Sequence, residues 1–369
     1  MNKNKKNIIF FLPNFKFGGA SKSIINIVTN LNRKKYNLFV FCLNKCDYKN
    51  LLKKFNIIVY ELNITKTIFA ILLIKKLIKK IIKSRNLKTI FISNINYANV
   101  ISILFLSSIK NLKIVTVDRT PIQELDFNYF NPIVFFKNFV IKLLIKFIYQ
   151  RAASRIGNSS TVSKDLSKIS NSKFTTIYPS TLKIIKPWKK KYIKNKIQIL
   201  WIGRLSREKD FFTIIKSARL LVNENVIFNI IGNGKEMSKI NKIINELNIK
   251  KLFKFYGYID DVNKFLDNAD LYISSSLYEG FQNSMIEAIN YNIPVISSRS
   301  FGGVNDILKN GKYGFLYEQE DYKNLAKLIK KYTLDQKPFY KKAKLAKRNL
   351  KSFEFTKSNK KYEKILDSI

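Results

Sequence analysis

Short apolar runs separated by longer amphipathic stretches recur along most of this chain, and that alternation limits the fold more than any other feature. In the first half the runs are Ile8–Leu12, Leu38–Leu43, Ile57–Tyr60, Thr89–Ile92 and Ile114–Val117, with Ser21–Leu31 and Ile68–Ile82 among the stretches between them. Runs this short read as strands, and the longer stretches, apolar at helical spacing, read as helices. Strand and helix in succession give the βαβ rhythm of a parallel sheet. The rhythm breaks across "YPSTLKIIKPWKKKYIKNK", Tyr178–Lys196, which has two prolines, a basic run and no clean period and reads as a linker. It restarts with strands at Ile197–Ile202, Ile227–Ile231, Phe253–Phe255, Leu271–Ser274, Pro294–Ser297 and Gly314–Leu316, and with helices including Phe211–Val222 and Met237–Leu247. The expected fold class is α/β: two Rossmann-like, doubly wound parallel-sheet domains facing a central cleft, with ligands beyond the carboxyl ends of the strands. The expected division is residues 1–185 and 186–351, with a C-terminal helix at about 352–369 packing back on the first domain. A length of 369 residues suits two domains of ~150–200 residues each.

Composition narrows the chemistry. There is no His, and the only cysteines are Cys42 and Cys46. A disulfide framework and any mechanism with a histidine base are therefore excluded, and two cysteines without a histidine do not complete the usual zinc ligand set. Unpaired cysteines suit a reducing compartment, so a cytoplasmic location is expected. The 68 Lys and Arg against 25 Asp and Glu give a formal charge of +43. That excess has two readings: a polyanionic partner, or a coding bias that also raises Ile, Asn, Phe and Tyr. The N-terminal apolar run Ile8–Leu12 is too short for a signal segment and stops at Pro13, and no stretch reaches the length of a spanning helix.

Three stretches carry chemistry. "PNFKFGGASKS", Pro13–Ser23, puts Gly18 and Gly19 between a strand and a helix, where backbone N–H groups can approach a phosphate. "WIGRLSREKDFFTII", Trp201–Ile215, puts Arg204 and Lys209 in the loop between a strand and a helix. A guanidinium fork and a mobile ammonium at a helix start suit a diphosphate. "LYEGFQNSMIEAINYNIPVISS", Leu277–Ser298, holds Glu279 just before a helix beginning near Gln282–Ser284, and Glu287 on its second turn. The two acids are separated by ~12 Å or less along the axis, a span that addresses two hydroxyl-bearing parts of one ligand. The bland reading of each motif is a structural glycine, a surface cation or an acid favoured by the helix dipole.

Together with "FNIIGNGKE", "FYGYIDDV" and "SFGGVNDILKNGKYGFL", in that order, these motifs resemble glycosyltransferase family 4, enzymes of the GT-B fold with an E-x7-E element, here Glu279 and Glu287. The resemblance covers nearly the whole chain and is strongest from Ile197 to Leu316. It implies a retaining transfer of a sugar from a nucleotide-diphosphate sugar to a hydroxyl acceptor, without a metal or other cofactor. It implies that Glu279 touches the donor sugar, Glu287 the ribose, and Arg204 and Lys209 the departing diphosphate. Phe281, Gln282, Asn283 and Ser284 would line the donor, Tyr258 and Ile259 would sit by the base, and Gly18 and Gly19 would approach the diphosphate from the other domain. Where many relatives carry a His after the strand matching Ile114–Val117, this chain reads "TVDRTPIQE", leaving Asp118 and Arg119 as the acceptor-side candidates. The family's G-P-x-E reads "GVND", Gly303–Asp306, and Ser21 replaces an acid after Gly18-Gly19.

The acceptor implied is a glycan or glycolipid, probed first among lipid-linked glycans of bacterial surface polysaccharide, lipopolysaccharide or capsule synthesis. Thr67–Arg85 and Ile133–Arg151 intersperse Lys among Ile, Leu and Phe, with Lys75, Lys76, Lys79, Lys80 and Lys83 on one side of the former. Such helices either dock on an anionic membrane surface, here the inner face of the plasma membrane, or pack on the sheet with a solvated basic face. Two other functions compete. A nucleotide-sugar epimerase on the same fold would need more acid–base groups than a chain without His supplies. A nucleic-acid-binding protein would interleave cations with aromatics along one groove, whereas here Lys is spread throughout, so no nucleic-acid partner is expected.

Overall fold

A computed structural model describes residues 5–126, 131–188 and 196–369. The chain divides into two compact units, Met1–Lys183 with Phe353–Ile369, and Ile184–Ser352.

The first unit runs β1 (Lys6–Phe11), α1 (Gly19–Asn30), β2 (Tyr36–Cys42), α2 (Lys49–Lys54), β3 (Ile58–Glu61), α3 (Thr67–Arg85), β4 (Thr89–Asn94), α4 (Asn96–Leu106), β5 (Leu112–Asp118), α5 (Pro132–Ile148), β6 (Ser154–Gly157), α6 (Ser160–Ser170) and β7 (Thr175–Thr176). Its strands form one parallel sheet in the order β3-β2-β1-β4-β5-β6-β7. Side-chain alternation divides the core between the two faces. Ile9, Phe11, Phe91 and Ile114 meet α3, α4 and α5, while Ile8, Phe10, Ile90 and Val115 meet α1. Both faces are covered, which is why these strands read as continuous apolar runs. Asn86 and Asn171 close α3 and α6 in the left-handed conformation, the place that glycine often takes.

The second unit runs β8 (Ile197–Ile202), α7 (Phe211–Arg219), β9 (Val226–Ile231), α8 (Met237–Glu246), β10 (Phe253–Phe255), α9 (Asn263–Asn268), β11 (Leu271–Ser274), β12 (Tyr278–Glu279), α10 (Asn283–Asn290), β13 (Val295–Ser298), β14 (Phe301–Gly302), α11 (Val304–Leu308), β15 (Phe315–Tyr317), α12 (Tyr322–Leu334) and α13 (Lys337–Asn349). Six strands form a second parallel sheet, β10-β9-β8-β11-β13-β15, and β12 pairs with β14 outside it. In both sheets the order reverses beside the first strand, as in a doubly wound fold.

A last helix, α14 (Phe355–Ser368), returns to the first unit. Its Tyr362 and Leu366 enter the core beside α1. The Lys6 ammonium donates to the Leu366 carbonyl at 2.8 Å, and the Tyr36 hydroxyl donates to the Asp367 carboxylate.

Three sequence expectations change. Tyr178–Lys196 is not one linker. Ile177, Ser180 and Leu182 are buried in the first unit, with the Phe355 N–H donating to the Leu182 carbonyl at 3.0 Å. Ile184 and Lys186 are tied instead to Asn290 of the second unit, and 189–195 lie outside the described residues. On α3, Lys76, Lys79, Lys80 and Lys83 are exposed, but Lys75 is half-buried against the layer. On α5 the outward face is predominantly apolar rather than basic. No helix among the described residues is long and apolar enough to cross a membrane.

Candidate active site

Parallel strands deliver their following loops to one edge, and the second unit gathers most of the candidates there. Arg204 and Lys209 follow β8, Tyr258 and Ile259 follow β10, and Glu279 to Ser284 follow β11. The loop after β9 nests against the loop after β8: a Cβ on Gly234 would stand 1.9 Å from the Leu205 carbonyl oxygen. Only a residue without a side chain allows that approach.

Lys209 and Glu279 form an ion pair although 70 positions apart. Each is fixed from behind. The Ser275 hydroxyl donates to the Lys209 carbonyl at 2.7 Å, and the Leu277 N–H donates to the Glu208 carbonyl at 2.9 Å, so the two loops are laced together. Glu279 sits on β12, and the Gly303 N–H donates to its carbonyl at 3.1 Å. Gly302, at φ 107, brings β14 so close that a Cβ there would stand 2.0 Å from the Glu279 carbonyl oxygen. We expect Gly302→Ala to part these strands and lower stability by about 2–3 kcal/mol, read as a shift in the urea midpoint.

Arg204 is held by Glu208, guanidinium to carboxylate at 2.9 Å, and the Ser206 hydroxyl donates to the same carboxylate oxygen at 2.6 Å. Burial pushes the Glu208 carboxyl up, but Ser206, a backbone N–H, Arg204 and Lys209 together hold it below the usual carboxylate range. Sequence reasoning passed over Glu208, whose only signal was its place four residues after Arg204. It also passed over Asp210. This residue caps α7 through Thr213, and burial raises its carboxyl to about 6.

The start of α10 faces the same edge. Gln282 is buried, its amide donating to the Ser300 hydroxyl at 3.2 Å while its Oε1 has no protein partner. The Ser284 hydroxyl bonds the Tyr272 hydroxyl at 2.8 Å. Phe281 is buried, and Asn283 and Glu287 are half-buried on the first turns of the helix. Tyr258 is exposed and Ile259 half-buried. In "GVND", Asp306 is buried within α11.

Gly18, Gly19, Asp118 and Arg119 share the corresponding edge of the first unit. A Cβ on Gly18 would meet nothing within 4 Å, so the turn into α1 borders open space. Arg119 Nε donates to Asn94 Oδ1 at 2.9 Å, and Asn94 Nδ2 donates to the Phe11 carbonyl at 3.0 Å, linking the ends of β5, β4 and β1. Burial lowers the guanidinium's proton affinity, yet an arginine stays charged at neutral pH.

Asp118 is a correction. Its side chain is 0% exposed, and Oδ1 accepts from the Tyr149 hydroxyl at 2.8 Å and from Asn99 Nδ2 at 3.1 Å. As folded it braces the strand end and presents nothing to an acceptor, whereas Arg119 is half-buried. Burial raises the Asp118 carboxyl to about 7, against the two hydrogen bonds that favour its charge. Asp118 Oδ2 and Asn99 Oδ1 have no protein partner, and neither do the buried Thr116 Oγ1 and both amide atoms of Asn96.

Residues 183–351 match the model of the family described as Glycosyl transferases group 1. The chain is 29% identical over 185 residues to an uncharacterized glycosyltransferase of Methanocaldococcus jannaschii, covering 46% of this chain and 45% of the relative. It is 26% identical over 209 residues to the N-acetylgalactosamine-N,N'-diacetylbacillosaminyl-diphospho-undecaprenol 4-alpha-N-acetylgalactosaminyltransferase of Campylobacter jejuni, covering 55% of this chain and 56% of the relative. The chain thus spans about half the length of these curated relatives. Among solved structures it is similar to Anabaena HepE in complex with UDP-glucose, with a TM-score of 0.80 and 20% identity over 98% of this chain and 100% of that one. The chain has the GT-B fold, and its residues 183–351 match glycosyl transferases group 1.

Proposed function

We propose that the protein is a retaining glycosyltransferase that moves a sugar from a nucleotide-diphosphate sugar to a hydroxyl of a lipid-linked glycan. The donor lies along the carboxyl edge of the second unit. The observation that carries this reading is the joining of Lys209 to Glu279, with Arg204 in the same loop as Lys209. In the structure the carboxylates Glu279 and Glu208 neutralise the two cations. A donor exchanges these partners: Lys209 and Arg204 turn to the diphosphate, and Glu279 accepts hydrogen bonds from the sugar hydroxyls. Charge grows on the leaving diphosphate as the glycosidic bond breaks, so cations already in place lower the barrier. N–H groups at the start of α10 add to that field.

The leaving phosphate oxygen takes the acceptor's proton on the face where the new bond forms, which needs no histidine. The reaction uses no metal, because the two cations meet the diphosphate. Arg119, at the carboxyl edge of the first unit, supplies the acceptor side. The diphospho-undecaprenol in the Campylobacter relative's name supports a lipid-linked acceptor, met at the cytoplasmic face of a bacterial membrane in surface polysaccharide synthesis.

The Anabaena complex makes UDP sugars the first donors to assay. A thermal-shift screen over UDP, GDP and ADP sugars tests the reading. One donor at a hundredfold excess over its dissociation constant should stabilise the protein by about 2.7 kcal/mol, and a panel with no shift contradicts the proposal. Glu287→Ala should weaken that donor roughly ten- to a hundredfold, since a carboxylate that accepts from ribose hydroxyls contributes about 1.5–3 kcal/mol.

A further inference from the structure

We propose that α5, aided by α3, is a docking surface for an anionic lipid bilayer. This deepens the lipid-linked acceptor reading by naming the surface that meets the membrane. α5 is apolar on two opposite sides. Ile141, Ile145 and Ile148 are buried against the sheet. Facing away, Ile133, Phe136, Phe139, Leu143 and Phe147 are 81%, 68%, 54%, 44% and 62% exposed. Their spacings of three, three, four and four residues place them on one stripe along the 17-residue helix. The stripe carries the phenyl rings of Phe136, Phe139 and Phe147, and contiguous apolar surface of this kind marks a partner.

The charges around the stripe identify the partner. Lys137 and Lys146 flank it in the open, while Lys142 is drawn to Asp126. On α3 the outer side begins with Phe69 and Leu72 and continues with Lys76, Lys79, Lys80 and Lys83. Neither helix contains an Asp or Glu. Apolar side chains between lysines, with no acid on either helix and only Lys142 answered from outside by Asp126, suit acyl chains below anionic headgroups. A second copy fits less well, because a two-fold contact would set lysine against lysine.

The position suits the proposed chemistry. α3, α4 and α5 pack side by side on one face of the sheet. Each starts at the carboxyl edge, so Phe69, Leu72, Ile133 and Phe136 lie towards the end of the unit that carries Arg119.

Flotation of the full chain with vesicles of phosphatidylcholine, with and without phosphatidylglycerol, tests the proposal. The protein should float with the anionic vesicles and largely stay behind with the neutral ones. Phe136→Ser with Phe147→Ser, both on the exposed stripe, should cut anionic-vesicle binding at least tenfold and leave the nucleotide-sugar thermal shift unchanged. Changing Lys76, Lys79, Lys80 and Lys83 to Gln should erase the preference for phosphatidylglycerol. No flotation, flotation indifferent to phosphatidylglycerol, or full binding by the double variant each overturns the proposal. So does a wild-type dimer that the double variant dissolves without any vesicle binding. Flotation together with an absent nucleotide-sugar shift would instead leave the docking surface standing and remove the donor reading.

Discussion

Glu279→Gln is expected to reduce turnover by about a hundredfold to a thousandfold while leaving the fold and nucleotide binding in place. That range is typical for removing one preorganised group that acts as charge develops. Glutamine keeps the length and shape of glutamate but lacks the charge that pairs with Lys209 and the second strong acceptor for sugar hydroxyls. The backbone of β12 is held independently, by pairing with β14 and by the Gly303 N–H, so the side-chain change should not move it. The Lys209–Glu279 pair is partly open to solvent, and its loss should change stability by no more than about 1 kcal/mol. The test compares initial rates with the donor found by thermal shift, alongside the midpoint shift given by the free nucleotide diphosphate. Near-normal turnover in the variant, with that shift intact, contradicts the role given to Glu279.

Asp118→Asn is expected to make the protein more stable than the wild type at pH 8 and less stable near pH 4, where the wild-type carboxyl is protonated and only the cost of the amide donor remains. The Asp118 carboxyl stands at about 7 in the folded state against 3.8 for the free group. Between those values the folded chain holds a proton that the unfolded chain has released, so stability from this group falls as pH rises from about 4 to about 7. The two values lie about three pH units apart, which at 1.36 kcal/mol each makes about 4 kcal/mol. Asparagine keeps an oxygen for Tyr149 and Asn99 and puts an amide nitrogen where Oδ2 has no protein partner. An unpaired amide donor costs about 1–3 kcal/mol, so a net gain of about 1–3 kcal/mol at pH 8 is expected. Urea unfolding of both proteins at pH 5 and pH 8 measures the difference. If wild type and variant respond equally to pH, the buried carboxyl is not titrating as described.

The parts of the molecule legible in the sequence are those governed by local pattern. Ile197–Ile202, Phe253–Phe255 and Leu271–Ser274 are strands over the residues that periodicity marks, because a buried parallel strand needs an apolar run and little else. β6 offers a single aliphatic residue, Ile156, in "SRIG", and β7 and β12 span two residues each, too short to have a period. Glu279 and Glu287 stand out by spacing, and Arg204 and Lys209 by their place after a strand. That Lys209 pairs with Glu279 is a fact of loop lacing, invisible before β8 and β11 are adjacent. Asp118 is a candidate by sequence because it stands after the strand where many relatives of the resembled family carry a His. Tyr149 and Asn99, which enclose it, come from the segment after α5 and from α4, respectively. The lysines of α5 drew attention to charge, while the helix leaves four phenylalanines exposed, Phe135, Phe136, Phe139 and Phe147, and ties one lysine to Asp126.

The return of α14 makes the first unit discontinuous, and that bears on the order in which the chain can be built. A ribosome finishes β1 to β7 long before it adds Tyr362 and Leu366, which fill the layer beside α1. Until then the early half carries an unroofed hydrophobic gap, and it must wait for the whole later half to emerge. A released chain ending at residue 354 should therefore be open to proteases in its first unit, while its second unit, complete at Ser352, resists them.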